Sequence, residues 1–248
     1  MSNPVVLIPA RLRSSRLPNK PLAPIAGKAM IVHVVERARA ANVGPVYVAC
    51  AEQEILQVVK AAGGDGVLTD PELPSGTDRI YEALSQIDPK KEFDQIINLQ
   101  GDLPTLVPIV IKDVLAPLEE LGSDISTLVN ATDDEQDAVD PNVVKAIVTM
   151  DAKRERLGRA LYFTRAPAPT GEGPLFHHIG IYGFTRNALD QFARLPPSPL
   201  EKRERLEQLR ALENEMTIGV CVVISVPFGV DTPADLERAR AFLEAEMH

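Results

Sequence analysis

A chain of 248 residues, 45% apolar and 25% charged, has an ordinary globular composition, which excludes gross disorder and collagen-like structure. It is long enough to bury a core without a staple, and Cys50 and Cys221 stand in apolar runs with no metal-ligand spacing, so both read as reduced and buried. The net charge of −9 argues against general nucleic-acid binding, yet residues 1–35 hold five cations and no acid, a distribution that suits a small anionic ligand as well as a solvated basic loop.

Alternating short apolar runs and amphipathic stretches predict βαβ units and a mainly parallel sheet. In chain order these are a strand at Pro4–Pro9, a helix over 29–41 with Ile31, Val34, Val35 and Ala38 on one face, a strand at Val46–Cys50 and a helix at Glu52–Ala62. A strand at Val67–Thr69, a helix at Gly76–Ile87, a strand at Gln95–Leu99 and a helix at Val107–Leu121, weakened in its last turn by Pro117, follow. Beyond about residue 123 the pattern loosens. Ile125–Asn130, Val143–Met150, Ala160–Thr164 and Ile179–Thr185 are strand candidates, the first three without a helix between them, which predicts antiparallel or mixed additions. A helix at Leu200–Glu213, a strand at Ile218–Val226 and a helix at Pro233–Glu246 close the chain. The expected fold is a doubly wound α/β domain spanning 1–248, with 123–185 as a smaller β-rich sub-region. No apolar run approaches the roughly 20 residues of a membrane span, and the first residues do not read as a secretory signal. A cytoplasmic protein with no membrane or nucleic-acid partner is expected.

The stretch Leu7–Leu22, LIPARLRSSRLPNKPL, follows the first strand and precedes the first helix, where open α/β sheets bind ligands. It is neither GxGxxG nor a P-loop. Ser14, Ser15 and Asn19 loosen it and four prolines stiffen its flanks; Arg11, Arg16 and Lys20 can converge on one polyphosphate. Asp102 in QGDLP directly follows a strand, and a carboxylate there can hold Mg²⁺ against triphosphate oxygens; an ordinary turn aspartate is the plainer reading. In DTPAD, Thr232 and Asp235 read as a helix cap, which leaves Asp231 without a structural duty. In HIGIY, alternation puts His178, Gly180 and Tyr182 on one face and the two isoleucines on the other, so the first face has two polar tips around a gap. A satisfied core histidine is the plainer reading of His178, and His33 and His248 are read that way too. Ser75 and Asp78 read as a helix cap, leaving Gly76 and Arg79 unassigned.

The loop matches IPAR-x-x-S-x-R-L-P-x-K-P-L, and SGTDR, QGDLP, PNVVK, HIGIYG, PSPLEKRERLEQLR and GVDTPADL follow in order over nearly the whole chain. By these blocks the sequence resembles the sugar-acid cytidylyltransferases, in particular the family acting on 3-deoxy-manno-octulosonate (Kdo). The resemblance implies a nucleotide-diphospho-sugar transferase-like fold, a homodimer, and transfer of CMP from CTP to the anomeric hydroxyl of a 2-keto sugar acid, with pyrophosphate released and the product used in lipopolysaccharide synthesis. It makes Mg²⁺ the cofactor and Asp102 and Asp231 its ligands. It puts Ala10, Arg11, Arg16, Lys20, Ser75, Gly76, Arg79, Gln100 and Asp102 on the nucleotide, with Lys20, Arg11 and Arg16 catalytic beside the aspartates. Gln100, Arg165, His178, Tyr182, Glu207 and Gln208 fall to the sugar. The family carries an acid where this chain has Leu103. The rivals are the same chemistry on sialic acid or an amino-Kdo analogue, a nucleotide-binding regulator without turnover, and a dinucleotide dehydrogenase. The regulator reading calls for a missing Lys20, Asp102 or Asp231, and the dehydrogenase reading for a GxGxxG after the first strand; the sequence meets neither.

Overall fold

The structure, a computed structural model, describes residues 2–14 and 16–246; Ser15 and His248 lie outside it. The chain forms two compact units, one from the residues up to Ile111 together with those from Pro227 on, the other from Lys112–Val226.

In the first unit the chain runs through β1 (Pro4–Ala10), the short hairpin β2 (Pro24–Ile25) and β3 (Lys28–Ala29), α1 (Met30–Ala40), β4 (Val46–Cys50), α2 (Gln53–Ala61), β5 (Asp65–Leu68), α3 (Gly76–Ile87) and β6 (Gln95–Asn98). The strands β5, β4, β1 and β6 lie side by side in that order, all parallel. β1 is apolar almost throughout because a central parallel strand is covered on both faces. The chain steps from β1 outward through β4 to β5, then returns to the other side of β1 with β6. The loops leaving β1 and β6 therefore diverge at their carboxyl ends, the crevice where such sheets bind ligands. Helix α1 buries Ile31, Val34, Val35 and Ala38, as its periodicity predicts. His33 bonds the Ile25 carbonyl through Nε2 at 2.8 Å, a structural histidine.

The second unit begins with α4 (Ile109–Asp113, its first residues still in the first unit) and α5 (Ala116–Leu121), then β7 (Ile125–Thr132), α6 (Glu135–Val139), β8 (Lys145–Met150), β9 (Leu157–Thr164), β10 (Leu175–Thr185), α7 (Arg186–Phe192), α8 (Pro199–Glu204), α9 (Leu209–Glu213) and β11 (Ile218–Val222). Within it β10, β7, β11, β9 and β8 neighbour one another, and β8 pairs back onto β10, closing the sheet. Only β11 with β7 is parallel. The antiparallel additions are as expected, but a helix was missed: the short α6, capped by Asp134, lies between the first two strand candidates. The chain then re-enters the first unit with α10 (Pro233–Glu246), whose Leu236, Ala239 and Leu243 pack with Ile25, Met30 and Val230.

Two predicted helices are corrected. Val107–Leu121 is two helices rather than one, and Pro117 sits in the first turn of the second, where its missing N–H costs nothing. Leu200–Glu213 is broken after Glu204 by Arg205, which adopts a left-handed backbone with φ 58°. Glu207 and Gln208 consequently lie in a break between α8 and α9 and not on the edge of a continuous helix. Cys50 and Cys221 are both buried, and burial pushes their thiols up to about 12 and about 11.

Candidate active site

The crevice of the first unit is an open pocket of about 360 Å³. Its wall from β1 and the following loop is Pro9, Ala10, Arg11, Arg13, Ser14, Arg16 and Lys20; α3 contributes Ser75, Gly76 and Arg79, and the loop after β6 contributes Gln100, Gly101 and Asp102. Asp231, just before α10, completes it. The loop is tied at several points. Leu12 N–H donates to Glu52 Oε2 at 2.9 Å, and Arg13 pairs with Glu72. Asn19, with φ 57°, turns the chain into a 3₁₀ turn at Lys20–Leu22.

That turn delivers the Lys20 ammonium between two carboxylates. Its Nζ lies 2.7 Å from Asp102 Oδ2 and 2.9 Å from Asp231 Oδ1, and its side chain is only 16% exposed. Arg16 Nη2 meets the other oxygen of Asp231 at 3.0 Å. Burial pulls the Lys20 pKa down, but the two aspartates outweigh it and leave it raised, so the ammonium stays charged. The Asp231 backbone is fixed in turn. Thr232 Oγ1 accepts from Asp235 N–H and Asp235 Oδ2 accepts from Thr232 N–H, the capping pair legible in TPAD. Among the described residues no group of three or more His, Cys, Asp or Glu side chains is arranged to hold a metal ion by itself. Two carboxylates already sharing one cation suit Mg²⁺, which takes one or two carboxylates and fills its shell with phosphate oxygens and water.

On the α3 side, Ser75 caps the helix by accepting from Asp78 N–H. A methyl group at Gly76 would stand 3.2 Å from the Pro9 ring and 4.0 Å from Gln100 Oε1, so the glycine keeps the pocket floor open. Arg79 lines the pocket but is 1% exposed. Its Nη1 donates to Thr69 Oγ1 at 2.7 Å and the Asp70 carbonyl at 2.9 Å, so it holds the loop after β5 from below. Gln100 makes a long bond, 3.4 Å, to Asn98.

Of the residues assigned to the sugar, Gln100 lies in the first unit's pocket, while Arg165, His178, Tyr182, Glu207 and Gln208 belong to the second unit. The His178 and Tyr182 rings lie 5.5 Å apart even though β10 has a register irregularity between Ile179 and Tyr182. Ile179 and Ile181 are buried as alternation predicts, and a Cβ at Gly180 would meet nothing within 4 Å. Thr127 Oγ1 lies 3.0 Å from His178 Nε2, and Phe163 meets its ring edge-on. Gln208 is buried with its Nε2 unpartnered, a donor left over for an incoming acceptor. Arg165 reaches the Glu204 carbonyl through Nε and the Pro141 carbonyl through Nη1. Sequence reasoning passed over Glu52, Thr127 and Glu204, whose roles are to fasten other residues. They carry no motif signal, because any residue able to reach would serve.

Burial pushes the His178 pKa down to about 3, so its ring is neutral at working pH. An unfolded histidine protonates near 6.5, so between pH 6.5 and about 3 the unfolded chain binds the proton that the folded chain refuses. Stability is therefore present above pH 6.5 and drains away as pH falls toward 3. In His178→Gln that part of the slope disappears, and urea-unfolding free energies should decline less steeply between pH 6.5 and 4.5. Equal slopes in the two proteins would contradict the neutral ring.

The Cytidylyltransferase family model matches residues 5–218. Two proteins named 3-deoxy-manno-octulosonate cytidylyltransferase are close in sequence. That of Rhodospirillum centenum is 57% identical, covering 98% of this chain and 94% of its own, and that of Paramagnetospirillum magneticum is 54% identical, covering 98% of each. A solved structure of CMP:2-keto-3-deoxy-manno-octonic acid synthetase complexed with CTP superposes with a TM-score of 0.88 at 38% identity, covering 99% of this chain and all of that one.

Proposed function

The chain belongs to the cytidylyltransferase family, and we propose from that premise that it transfers CMP from CTP to 3-deoxy-manno-octulosonate, releasing pyrophosphate. The product is the activated sugar drawn on for lipopolysaccharide. The observation that carries this reading is the basic pocket at the carboxyl ends of β1 and β6, with Lys20 set between Asp102 and Asp231.

Arg11, Arg13, Arg16 and Lys20 supply the positive field for a triphosphate. When the nucleotide arrives, Lys20 and Arg16 have phosphate oxygens as alternative partners to the aspartates. Asp102 and Asp231 would then be the residues to hold Mg²⁺, which would supply neutralisation of charge on the phosphate oxygens. The sugar's anomeric hydroxyl attacks the α-phosphorus in line, and the P–O bond to pyrophosphate breaks. Positioning and electrostatics do most of this work, and no histidine or cysteine nucleophile takes part. The buried, high-pKa thiols and the neutral His178 agree with that assignment. In the second unit, Tyr182, Glu207, Gln208 and His178 face the sugar hydroxyls and Arg165 its carboxylate. The resemblance further makes the working form a homodimer.

Pyrophosphate release with CTP against a panel of sugar acids tests the reading. Kdo should give the highest kcat/KM, and UTP should be a poor substitute because groups that pair with cytosine are left unpaired against uracil. Preference for sialic acid would reassign the sugar; equal use of ATP or GTP would overturn the nucleotide pocket.

A further inference from the structure

Lys145 belongs to PNVVK, the one block of the sequence to which no chemistry has been attached, and its side chain is only 1% exposed. Its Nζ donates to two neutral main-chain acceptors, the carbonyls of Asp140 and Arg165, each at 2.9 Å. Burial pulls its pKa below the ordinary lysine value. A cation sealed against neutral acceptors is costly, and an apolar side chain of similar length would fill the space at lower cost.

What the two carbonyls share is Arg165. Its Nη1 donates at 2.8 Å to the carbonyl of Pro141, the residue after Asp140. Lys145 and Arg165 thus cross-link the same two chain segments, 140–141 and 165, each gripping the main chain near the other. Arg165 is also fixed to Glu204. Its N–H donates to Glu204 Oε2 and its Nε to the Glu204 carbonyl, each at 3.2 Å, while Thr164 Oγ1 holds Glu204 Oε1 at 3.1 Å. Glu204 ends α8 immediately before the left-handed Arg205 and the break that carries Glu207 and Gln208.

We infer that Lys145 is a positioning residue for sugar recognition. By clamping the carbonyls of Asp140 and Arg165 it fixes the Arg165 guanidinium and, through Glu204, the segment bearing Glu207 and Gln208. The inference rests on the sugar-binding role given to that cluster under the proposed function.

The test is a double-mutant cycle read in sugar kinetics, with calorimetry on CTP alone as the control. Lys145→Met raises KM for the sugar by about tenfold or more, as expected when a binding group loses its orientation, and leaves CTP affinity unchanged. In an Arg165→Met background the same substitution adds little, because its route of action is already gone. A folded Lys145→Met with unchanged sugar KM, or equal penalties in both backgrounds, overturns the inference. Should Lys145→Met not fold, Lys145→Gln, which keeps a donor but is too short to span both carbonyls, is held to the same two criteria. Arg165→Met with unchanged sugar KM would overturn the sugar-side reading and the inference with it. A rise in Arg165→Met but not in Lys145→Met overturns the inference alone.

Discussion

Asp102→Asn and Asp231→Asn should each lose turnover by a factor on the order of 10²–10³ while remaining folded, the scale at which removal of one electrostatic contact to a developing charge is felt. Both carboxylates line the pocket and both hold the Lys20 ammonium. Facing a triphosphate, two carboxylates repel it unless a cation stands between, so excess EDTA should abolish pyrophosphate release from the unaltered protein and added Mg²⁺ should restore it. Either amide variant retaining full activity, or undiminished turnover in EDTA, would remove the two-aspartate site from the mechanism. The amide changes also leave Lys20 with one charged partner in place of two, so each variant should show altered CTP binding as well as altered turnover.

The second large effect belongs to Lys20 itself. Lys20→Ala should weaken CTP binding and lower kcat by a similar factor of about 10²–10³, because the ammonium matters most as charge gathers on the reacting phosphate. Truncation of His178, Tyr182, Glu207 or Gln208 should instead raise KM for the sugar and spare CTP affinity, since those side chains belong to a different unit of the chain. Calorimetry with CTP alone separates the classes. If His178→Ala weakens CTP as much as Lys20→Ala does, the division into nucleotide and sugar residues fails.

The parallel half of the fold was legible because its signals are local. Apolar runs such as VYVAC and the face Ile31–Val34–Val35–Ala38 have one period each and lie between short turns. The helix over 200–213 was misread because its composition favours a helix throughout, and nothing in KRERLEQ marks Arg205 as the residue that turns left-handed. Tertiary contacts, including the Glu204 bonds to β9, decide it. The site was legible to the extent that it lives in one loop: Arg11, Arg16 and Lys20 are close in sequence. That Lys20 would bond Asp102 and Asp231 is set by strand order, which brings together residues 82 and 211 positions apart. Arg79 shows the opposite limit. Its motif membership is plain, but only the structure shows its guanidinium gripping the loop at Thr69 and Asp70.

The first unit is interrupted in sequence, and the interruption governs when the enzyme comes into being. Its sheet and the loop bearing Lys20 are translated early, but Asp231 and the helix that buries Leu236, Ala239 and Leu243 against Ile25 and Met30 come only after the whole second unit. At about 5–20 residues per second, the ribosome adds Asp231 roughly ten to forty seconds after Lys20. Through the later part of that interval the nascent chain has its basic loop and Asp102, but neither the second carboxylate nor the α10 side of its core. Catalytic competence therefore cannot precede the addition of Asp231, and a message truncated anywhere before codon 231 yields a polypeptide that cannot form the site.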